Sequence, residues 1–449
     1  MEIICDHSLC TACGACHDIC PKSAITIKHD SEGFLFPVVD QSLCIDCKLC
    51  QKVCSVMNPE RIKHNKLCDI DVHEGWSLND TIRSKSSSGA IFGQLAYDLL
   101  STGKWKVVGA AFDGRYAFHK LISSAAELGE LQNTKYIQSN PSLIYREILA
   151  ELKNGINILF SGTPCQVAGC YSYLDKKKYS GELLTMEVVC HGVPSHLILD
   201  KSIEFNKAKS VTTFRNKNDG WGYNSQQMTY VKEDGSLITK SRDTDLFYRF
   251  FFGKKKLRKS CYQCPFAKLP RTADITIGDS WGTTNSSEEE RRKGLSLVIS
   301  NNSHASEILN KSKNIHLREI GWFTEIEINR NLYTPFPPIS FIAERNDVNY
   351  IQNQLTRLDV NDFLNTTQLG FIENKEKLNL LKKALRKVNN KIYFKLVGNG
   401  NLSTMSSLRM RLIYVSMKLR NYTADLPSQH FLSLKFLKLT KEVYKAKHS

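Results

Sequence analysis

Two copies of one cysteine pattern, C-x2-C-x2-C-x3-C, stand close together near the start of the chain. The first copy runs from Cys10 to Cys20 and the second from Cys44 to Cys54. In two-cluster ferredoxins, three thiolates of each run hold one [4Fe–4S] cube and the fourth reaches across to the other cube. The repeat therefore predicts a small ferredoxin-like domain over residues 1–58 that holds two [4Fe–4S] clusters.

Crossed ligation divides the eight cysteines of this repeat into two predicted ligand sets. One cluster would be held by Cys10, Cys13, Cys16 and Cys54. The other would be held by Cys44, Cys47, Cys50 and Cys20. Such clusters carry single electrons at low potential, on the order of −400 mV, so we expect this part of the chain to relay electrons. Pro21 follows the first run as the bacterial pattern requires, whereas Ser55 stands at the equivalent place after the second.

Haem-attachment sites and zinc sites also use closely spaced cysteines, so both are alternatives to iron–sulfur clusters. The segment from Cys13 to His17 matches the haem-attachment pattern C-x-x-C-H, but it lies in register with two further cysteines and no export signal precedes it. Zinc sites pair C-x2-C knuckles across long spacers, unlike four cysteines within eleven residues. Iron–sulfur ligation is the interpretation that the repeat favours.

The N-terminal segment carries acids and cysteines where a secretory signal needs a basic start and an apolar run. The sequence also lacks a run of about 18 apolar residues that could cross a bilayer. We therefore expect a cytoplasmic, reducing location, where clustered cysteines are more often metal ligands or redox groups than disulfides.

Apolar runs and turn residues predict a mixed α/β core over residues 75–340, so the expected fold class is α+β or mixed α/β. A polar stretch at 58–71 is expected to be a linker into this core. Ile91, Leu95 and Leu99 share one face of a predicted helix that Ser88 could cap. Strands are predicted at 107–112, 156–160, 183–189, 275–277 and 295–300.

Four more cysteines could form a further ligand set. Cys165 and Cys190 each follow a predicted strand, and ligands collect at the carboxyl ends of strands in open α/β sheets. Cys261 and Cys264 have the C-x2-C spacing of a metal knuckle. By spacing alone these four could hold a third [4Fe–4S] cluster or a structural zinc ion, or have separate roles. The remaining three are expected to be ordinary small side chains: Cys5, Cys68 and Cys170.

Seven short motifs follow one another through the middle of the chain: RSKSSSG at 83–89, KYIQS at 135–139, FSGTPCQVAG at 160–169, VCHGVPS at 189–195, FR with GW at 214–221, SCYQC at 260–264 and DITIGDSWG at 274–282. In this order they resemble the beta subunit of the coenzyme F420 (deazaflavin) hydrogenases and dehydrogenases. The resemblance covers about residues 75–300, and many relatives carry a ferredoxin segment in front.

The resemblance implies a flavoprotein core that holds FAD and one [4Fe–4S] cluster. Its cluster ligands would be Cys165, Cys190, Cys261 and Cys264. The family also includes ferredoxin-dependent reductases of chlorophyll-type pigments, so the fold does not fix the substrate.

Candidate FAD-binding residues lie in three of these motifs. A pyrophosphate could bind to the hydroxyls and the exposed helix N-terminus at Ser86, Ser87, Ser88 and Gly89. A simple serine-rich helix cap would have the same pattern. No G-x-G-x-x-G follows a strand, so an ordinary Rossmann site is unsupported. Lys135 could face negative charge on the reduced isoalloxazine. The other candidates are Gln138, Ser139 and Thr163.

Several further residues have two interpretations. His191 is the candidate catalytic residue, as a proton donor in hydride chemistry, but a role in orienting the Cys190 loop is favoured. Asp279 could contact a cofactor or cap the turn at Gly278, and Arg215 could meet an anion or form an ion pair. Trp221 and Trp281 stand beside glycines and are expected to be packing residues.

The formal charge of +16 is concentrated at one end of the chain. Residues 371–449 hold 17 Lys and Arg against 4 Asp and Glu, a net charge of +13. We expect residues 341–449 to be a basic, mainly helical region, serving either as a solvated cap on the core or as a docking segment. Its partner would be an anionic membrane surface or an acidic electron carrier such as ferredoxin or flavodoxin. Nucleic acid is disfavoured, because no binding motif accompanies the charge.

Together these features predict an iron–sulfur, flavin-dependent oxidoreductase. Electrons would pass between the ferredoxin-type clusters, a third cluster and FAD, with hydride transfer to or from a deazaflavin or another two-electron substrate. The alternative is an electron-transfer adaptor subunit docked to a separate partner enzyme. The expected location is cytoplasmic, with peripheral contact at the inner face of the membrane as a further option.

Overall fold

A hairpin and two short helices make up the first part of the chain. In the computed structural model, which describes residues 4–66, 69–253, 256–282, 286–320, 329–333 and 335, strand β1 (Ile25–His29) pairs antiparallel with β2 (Leu35–Val39). Helices α1 (Ala15–Ile19) and α2 (Leu49–Lys52) begin inside the two cysteine runs. Each follows a left-handed residue, Gly14 at φ 83° and Lys48 at φ 60°, which turns the cysteine loop into the helix.

The centre of the protein is a nine-stranded mixed sheet. Its strands are β3 (Asp71–Ser77), β4 (Trp105–Phe112), β5 (Ala117–Ile122), β6 (Ser139–Asn140), β7 (Asn157–Gly162), β8 (Leu183–Val188), β12 (Ile275–Asp279), β13 (Ser296–Ser300) and β14 (Ile315–Glu319). Their order across the sheet is β14-β3-β13-β12-β8-β7-β4-β5-β6. The pairs β12/β8, β8/β7, β7/β4 and β5/β6 are parallel, and the other four are antiparallel.

Helices cover both faces of this sheet. They are α3 (Asp80–Ser84), α4 (Ile91–Leu100), α5 (Leu128–Leu131), α6 (Ile144–Lys153), α7 (Pro164–Leu174), α10 (Glu288–Lys293) and α11 (Ser303–Lys311). Apolar residues of α4, α5 and α11 pack into one core with Leu159 of β7. Those of α6 and α7 pack into a second core with Ile158 and Phe160. This alternation follows from the two-residue period of a strand, which turns successive side chains to opposite faces.

A second, three-stranded antiparallel sheet lies between β8 and β12 in the sequence. It is formed by β9 (Ala208–Thr213), β10 (Gln227–Lys232) and β11 (Leu237–Ser241), with helices α8 (His196–Phe205) and α9 (Leu246–Gly253) on either side of it in the chain. Within the described residues, no helix combines the length and apolar character needed to cross a membrane.

The predicted α/β core is confirmed, and five of its strands lie where the sequence predicted them, in β4, β7, β8, β12 and β13. Two local predictions were wrong. Helix α4 begins after Ala90, a residue in the left-handed conformation, and no side chain caps the helix. The Ser88 hydroxyl, the predicted cap, donates instead to the Leu295 carbonyl at 2.6 Å. The predicted linker at 58–71 packs on the core: Ile62 is buried, and the Asn65 amide donates to the carbonyl of Ala273 at 2.9 Å. The basic region at 341–449 lies outside the described residues.

This topology brings two of the predicted cysteine loops together. Strands β7 and β8 are parallel neighbours, so they end at the same edge of the sheet. Cys165 is the second residue of α7, shortly after the end of β7, and Cys190 lies two residues after the end of β8. The arrangement places both thiols at one edge, where the first part of the chain also packs against α6 and α7.

Candidate redox centres

Set II, defined as Cys20, Cys44, Cys47 and Cys50, surrounds one small cavity. All four cysteines line this space of about 20 Å³, together with Lys22 and Lys48. Cys20 comes from the first run and the other three from the second run. The structure therefore brings together the set that crossed ligation predicts.

Set I, defined as Cys10, Cys13, Cys16 and Cys54, is also brought together. Burial, with smaller contributions from the Cys54 and Cys10 thiols, raises the pKa of Cys13 to about 12. Burial raises the pKa of Cys16 as well, with smaller contributions from Cys13, Cys10 and Cys54. The four thiols are therefore within electrostatic range of one another.

Cys5 has a contact that the sequence did not reveal. Its thiol forms a hydrogen bond with Cys54, which lowers the pKa of Cys54 and raises that of Cys5. The expectation that Cys5 is an ordinary side chain is corrected, because it lies directly against a predicted cluster ligand. Cys170, by contrast, is a fully buried residue of α7. Cys68 lies outside the described residues.

Set III, defined as Cys165, Cys190, Cys261 and Cys264, lines one cavity of about 40 Å³ in the second half of the chain. Two of its sulfur atoms accept backbone hydrogen bonds: Cys190 from Gly192 and Cys261 from Val193, both at 3.4 Å. Burial raises the pKa of Cys165 to about 11 and that of Cys190 to about 12. Thiolates at these positions therefore need compensating positive charge, which a metal centre supplies.

Two arginines line the set III cavity, and their hydrogen-bond donors indicate what kind of group could bind there. Arg258 and Arg271 are each 1% exposed. Among the described residues, neither Arg258 Nε nor Arg271 Nη2 has a hydrogen-bond partner. Buried donors of this kind are costly unless an acceptor is present. A [4Fe–4S] cluster with four thiolates is anionic and offers sulfur acceptors, so the side chains present fit such a cluster.

The remaining donors of these arginines hold the cavity wall in place. Arg258 donates to the Cys10 carbonyl at 3.1 Å and to Gln138 Oε1 at 2.8 Å. Arg271 Nε donates to Glu187, and its Nη1 donates to the Phe266 carbonyl at 3.1 Å. Among the described residues, no group of three or more His, Cys, Asp or Glu side chains has the arrangement of a site for a single metal ion.

Set I lies between the other two sets. Cys16 of set I packs in one apolar cluster with Cys50 and Cys20 of set II. On the other side, Thr11, which follows Cys10 of set I, lines the set III cavity. Gly169 permits the close approach of set I to α7, because a Cβ there would lie 3.0 Å from the sulfur of Cys13. The order in space is therefore set II, set I, set III.

Two of the predicted FAD-binding residues, Ser87 and Lys135, lie at or beside a further cavity. This space of about 330 Å³ is lined by Lys85, Phe112, Gly129, Glu130, Gln132, Asn133, Thr134, Lys135, Thr212, Thr213 and Phe214. The Ser87 hydroxyl donates to Asn133 and accepts from the Thr134 N–H at 2.8 Å. Burial lowers the pKa of Lys135 to about 7, and its ammonium donates to the Gln132 carbonyl at 2.7 Å.

The neighbouring serines and Gly89 are used inside the protein. The Ser86 hydroxyl donates to the Ile82 carbonyl at 3.0 Å, and Ser88 bonds to Leu295 as described above. The Gly89 N–H donates to Ser296 Oγ at 2.9 Å. These contacts favour the interpretation that much of the serine-rich run braces the start of α4.

The other three predicted FAD-binding residues lie beside the cysteine sets. Gln138 donates to the Thr11 carbonyl at 3.0 Å and accepts from Arg258. Ser139 Oγ lies 2.8 Å from His119 Nδ1 and is buried. Thr163 Oγ1 lies 3.2 Å from the sulfur of Cys165 and caps α7. The structure therefore does not gather the whole predicted set around one cavity.

The residues with two interpretations now have observed contacts. His191 lines the set III cavity, and its Nδ1 lies 3.2 Å from Asn331 Nδ2. Asp279 accepts from Arg215 at 2.8 Å and from Trp221 Nε1 at 3.1 Å, so it forms a partly buried ion pair. Trp221 stacks on Trp281 with ring centroids 5.1 Å apart, in line with the packing role.

Sequence reasoning missed Arg258, Arg271 and Glu187. Arg258 lies three residues before the C-x2-C pair, and that spacing is the one local signal that could have drawn attention to it. The other two are ordinary charged residues in the sequence, and only their burial reveals their role.

Two regions of the chain match family models. Residues 156–321 match the model for the C terminus of the coenzyme F420 hydrogenase/dehydrogenase beta subunit, and residues 9–58 match "4Fe-4S dicluster domain". Among solved structures, the chain is similar to one in "Xenon derivatization of the F420-reducing [NiFe] hydrogenase complex from Methanosarcina barkeri". That likeness has 15% identity and a TM-score of 0.40, and covers 68% of this chain and 92% of the other. No curated protein matches this chain.

Proposed function

Since residues 156–321 belong to the coenzyme F420 hydrogenase/dehydrogenase beta-subunit family and residues 9–58 are a 4Fe–4S dicluster domain, we propose that this chain is an iron–sulfur flavoprotein oxidoreductase. Sets I and II would each hold one [4Fe–4S] cluster, and set III would hold a third. FAD would bind in the 330 Å³ cavity that Lys135 lines. The substrate would be a deazaflavin or another two-electron carrier.

The observation that carries this proposal is the serial order of the three cysteine sets. Thiolate-bound clusters carry one electron at a time. A series running from an exposed site through a buried one to a cavity in the core is the arrangement that a relay requires. Flavin supplies the exchange between single electrons and a hydride, which the clusters cannot perform.

The described residues would have three tasks around these groups. The buried guanidinium groups of Arg258 and Arg271 would offset the negative charge of a cluster in set III. Lys135 and Lys85 line the large cavity and would attract phosphate or a reduced flavin ring. The third task would be to enclose a cluster in set III, where the backbone next to His191 lines the cavity. The His191 ring packs against Phe251, with the two ring centroids 5.2 Å apart.

Anaerobic activity measurements test the proposal. The purified chain is expected to oxidise a reduced viologen and to reduce free coenzyme F420 without a partner protein. The variant Cys165→Ser should lose this activity, whereas Cys170→Ala, which alters a buried cysteine outside the cavity, should retain it. Activity only within a complex would favour the adaptor function, and a chain that binds no flavin would contradict the proposal.

A further inference from the structure

Set II is the cysteine set that reaches the surface. Cys47 is exposed, although Cys50 of the same set is buried, whereas sets I and III contain only buried or partly exposed cysteines. Three large apolar side chains lie in the loop of Cys47 and at the start of α2: Leu43, Ile45 and Leu49 are 50%, 58% and 38% exposed. Ile45 and Leu49 also line the set II cavity. A solvent-facing surface rarely groups exposed apolar side chains in this way unless they contact another molecule.

Basic side chains flank these apolar residues. Lys22 and Lys48 line the set II cavity, and Lys52 is exposed four residues after Lys48. Asp46 is the one acidic residue between positions 43 and 52. Nearby Asp40 is engaged in its own turn, where it accepts from the Ser42 hydroxyl at 2.6 Å. The rim around the exposed thiol therefore has a net positive charge.

We propose that this surface, defined by Leu43, Ile45, Leu49, Lys22, Lys48 and Lys52, docks a small acidic protein that carries one electron at a time. The inference rests on the proposed function, because it requires a cluster in set II. The apolar side chains would exclude water between the two redox centres. The lysines would steer an acidic partner and raise the rate at which it associates.

Charge also decides between this partner and the chain's own C-terminal region. Residues 371–449 have a net charge of +13, which is the same sign as the lysine rim. Like charges facing each other across an interface are unfavourable. An acidic external partner complements the surface, whereas the basic region does not.

The test measures electron transfer into the full-length chain by stopped flow without oxygen. The probes are a reduced acidic two-cluster ferredoxin and, separately, dithionite as a small reductant. With ferredoxin, the second-order rate for the double variant Lys22→Glu/Lys52→Glu should fall at least about tenfold at low salt, and the wild-type rate should fall as salt increases. Ile45→Ser should slow the same reaction.

Matched controls carry the same changes elsewhere. Lys104→Glu/Lys153→Glu alters two exposed lysines of the core, and Leu237→Ser alters an apolar side chain that is 64% exposed on β11. These variants should react with ferredoxin like the wild type. Iron content is measured for every variant, and each ferredoxin rate is divided by the dithionite rate of the same variant, so that a loss of clusters is separated from a loss of docking.

The outcomes separate the two proposals. Unchanged ferredoxin rates in the Lys22/Lys52 and Ile45 variants would overturn the docking surface, as would a wild-type chain that takes no electrons from ferredoxin. If ferredoxin rates increase when residues 371–449 are removed, that region covers the surface and the proposal is also overturned. Failure of dithionite to reduce any flavin in the wild type would instead contradict the proposed function.

Discussion

The buried pair of Glu187 and Arg271 is the sharpest test of the core beside set III. Both side chains are completely inaccessible to solvent. Glu187 accepts from Arg271 Nε, from the Thr276 hydroxyl at 3.1 Å and from the Ala273 N–H at 3.2 Å. Glu187→Gln retains the shape of the side chain but removes its charge. Among the described residues, Arg271 would then lose the one carboxylate that it contacts, and only the proposed cluster would offset its charge.

Breaking a buried pair on one side costs about 3–5 kcal/mol. For the 449 residues of the chain, an unfolding entropy of about 2.1 cal/mol/K per residue converts this into a Tm decrease of about 3–5 °C. The assay is thermal unfolding of the anaerobically purified protein, followed by circular dichroism. Iron content is measured in parallel, because Arg271 lines the set III cavity.

Glu130→Gln provides the matched control. Glu130 pairs with Lys120 at 2.7 Å, but its side chain is half exposed. An exposed pair contributes at most about 1 kcal/mol, so the Tm should change by less than about 2 °C. If Glu187→Gln lowered the Tm no more than this control, the argument that a buried charge pair holds the cavity wall would be refuted.

Three further results are expected. Cys165→Ser should lose about four irons per chain, one cube, while Cys170→Ala loses none. Tyr145→Phe should reduce the free energy of unfolding by about 1–3 kcal/mol, because its buried hydroxyl donates to the carbonyls of Cys13 and Gln166 at 2.7 and 3.0 Å. FAD affinity should fall as pH rises above about 7 and Lys135 loses its proton, and Lys135→Met should remove this dependence.

Each of these three predictions has an outcome that would contradict it. Full iron in Cys165→Ser would remove set III as a cluster site. Equal unfolding curves for Tyr145→Phe and the wild type would show that the hydroxyl does not join the cysteine loop to α7. The pH dependence is measured by quenching of FAD fluorescence on the flavin-free chain. An affinity that is constant between pH 6 and pH 9 would place the flavin away from Lys135.

The cysteine sets could be predicted because their signals are local or lie at strand ends. Each run of the repeat carries its own ligand spacing, and crossed ligation assigns Cys20 to set II from the sequence alone. Cys165 and Cys190 could be joined because each follows a buried strand, and parallel neighbours end at one edge. Short-range patterns were sufficient for sets I and II, whereas for set III they left a cluster, a zinc ion and separate roles open, and the family resemblance implied the four ligands.

The features that escaped prediction depend on tertiary contacts. Glu187 and Arg271 are 84 residues apart, and nothing near either one indicates that they meet. Cys5 contacts Cys54 across the whole repeat. Ser88 failed as a cap because a carbonyl from a distant strand competes for its hydroxyl, and the stretch at 58–71 packs on the core although its composition is that of a linker. Local sequence patterns do not predict these tertiary contacts.

The composition of the purified protein tests the central claim most directly. Iron, acid-labile sulfide and released flavin are measured per chain after purification without oxygen. Three four-iron cubes and one flavin predict about twelve irons, about twelve sulfides and about one FAD. A chain that holds zinc in place of iron, or about eight irons and no flavin, would contradict the account.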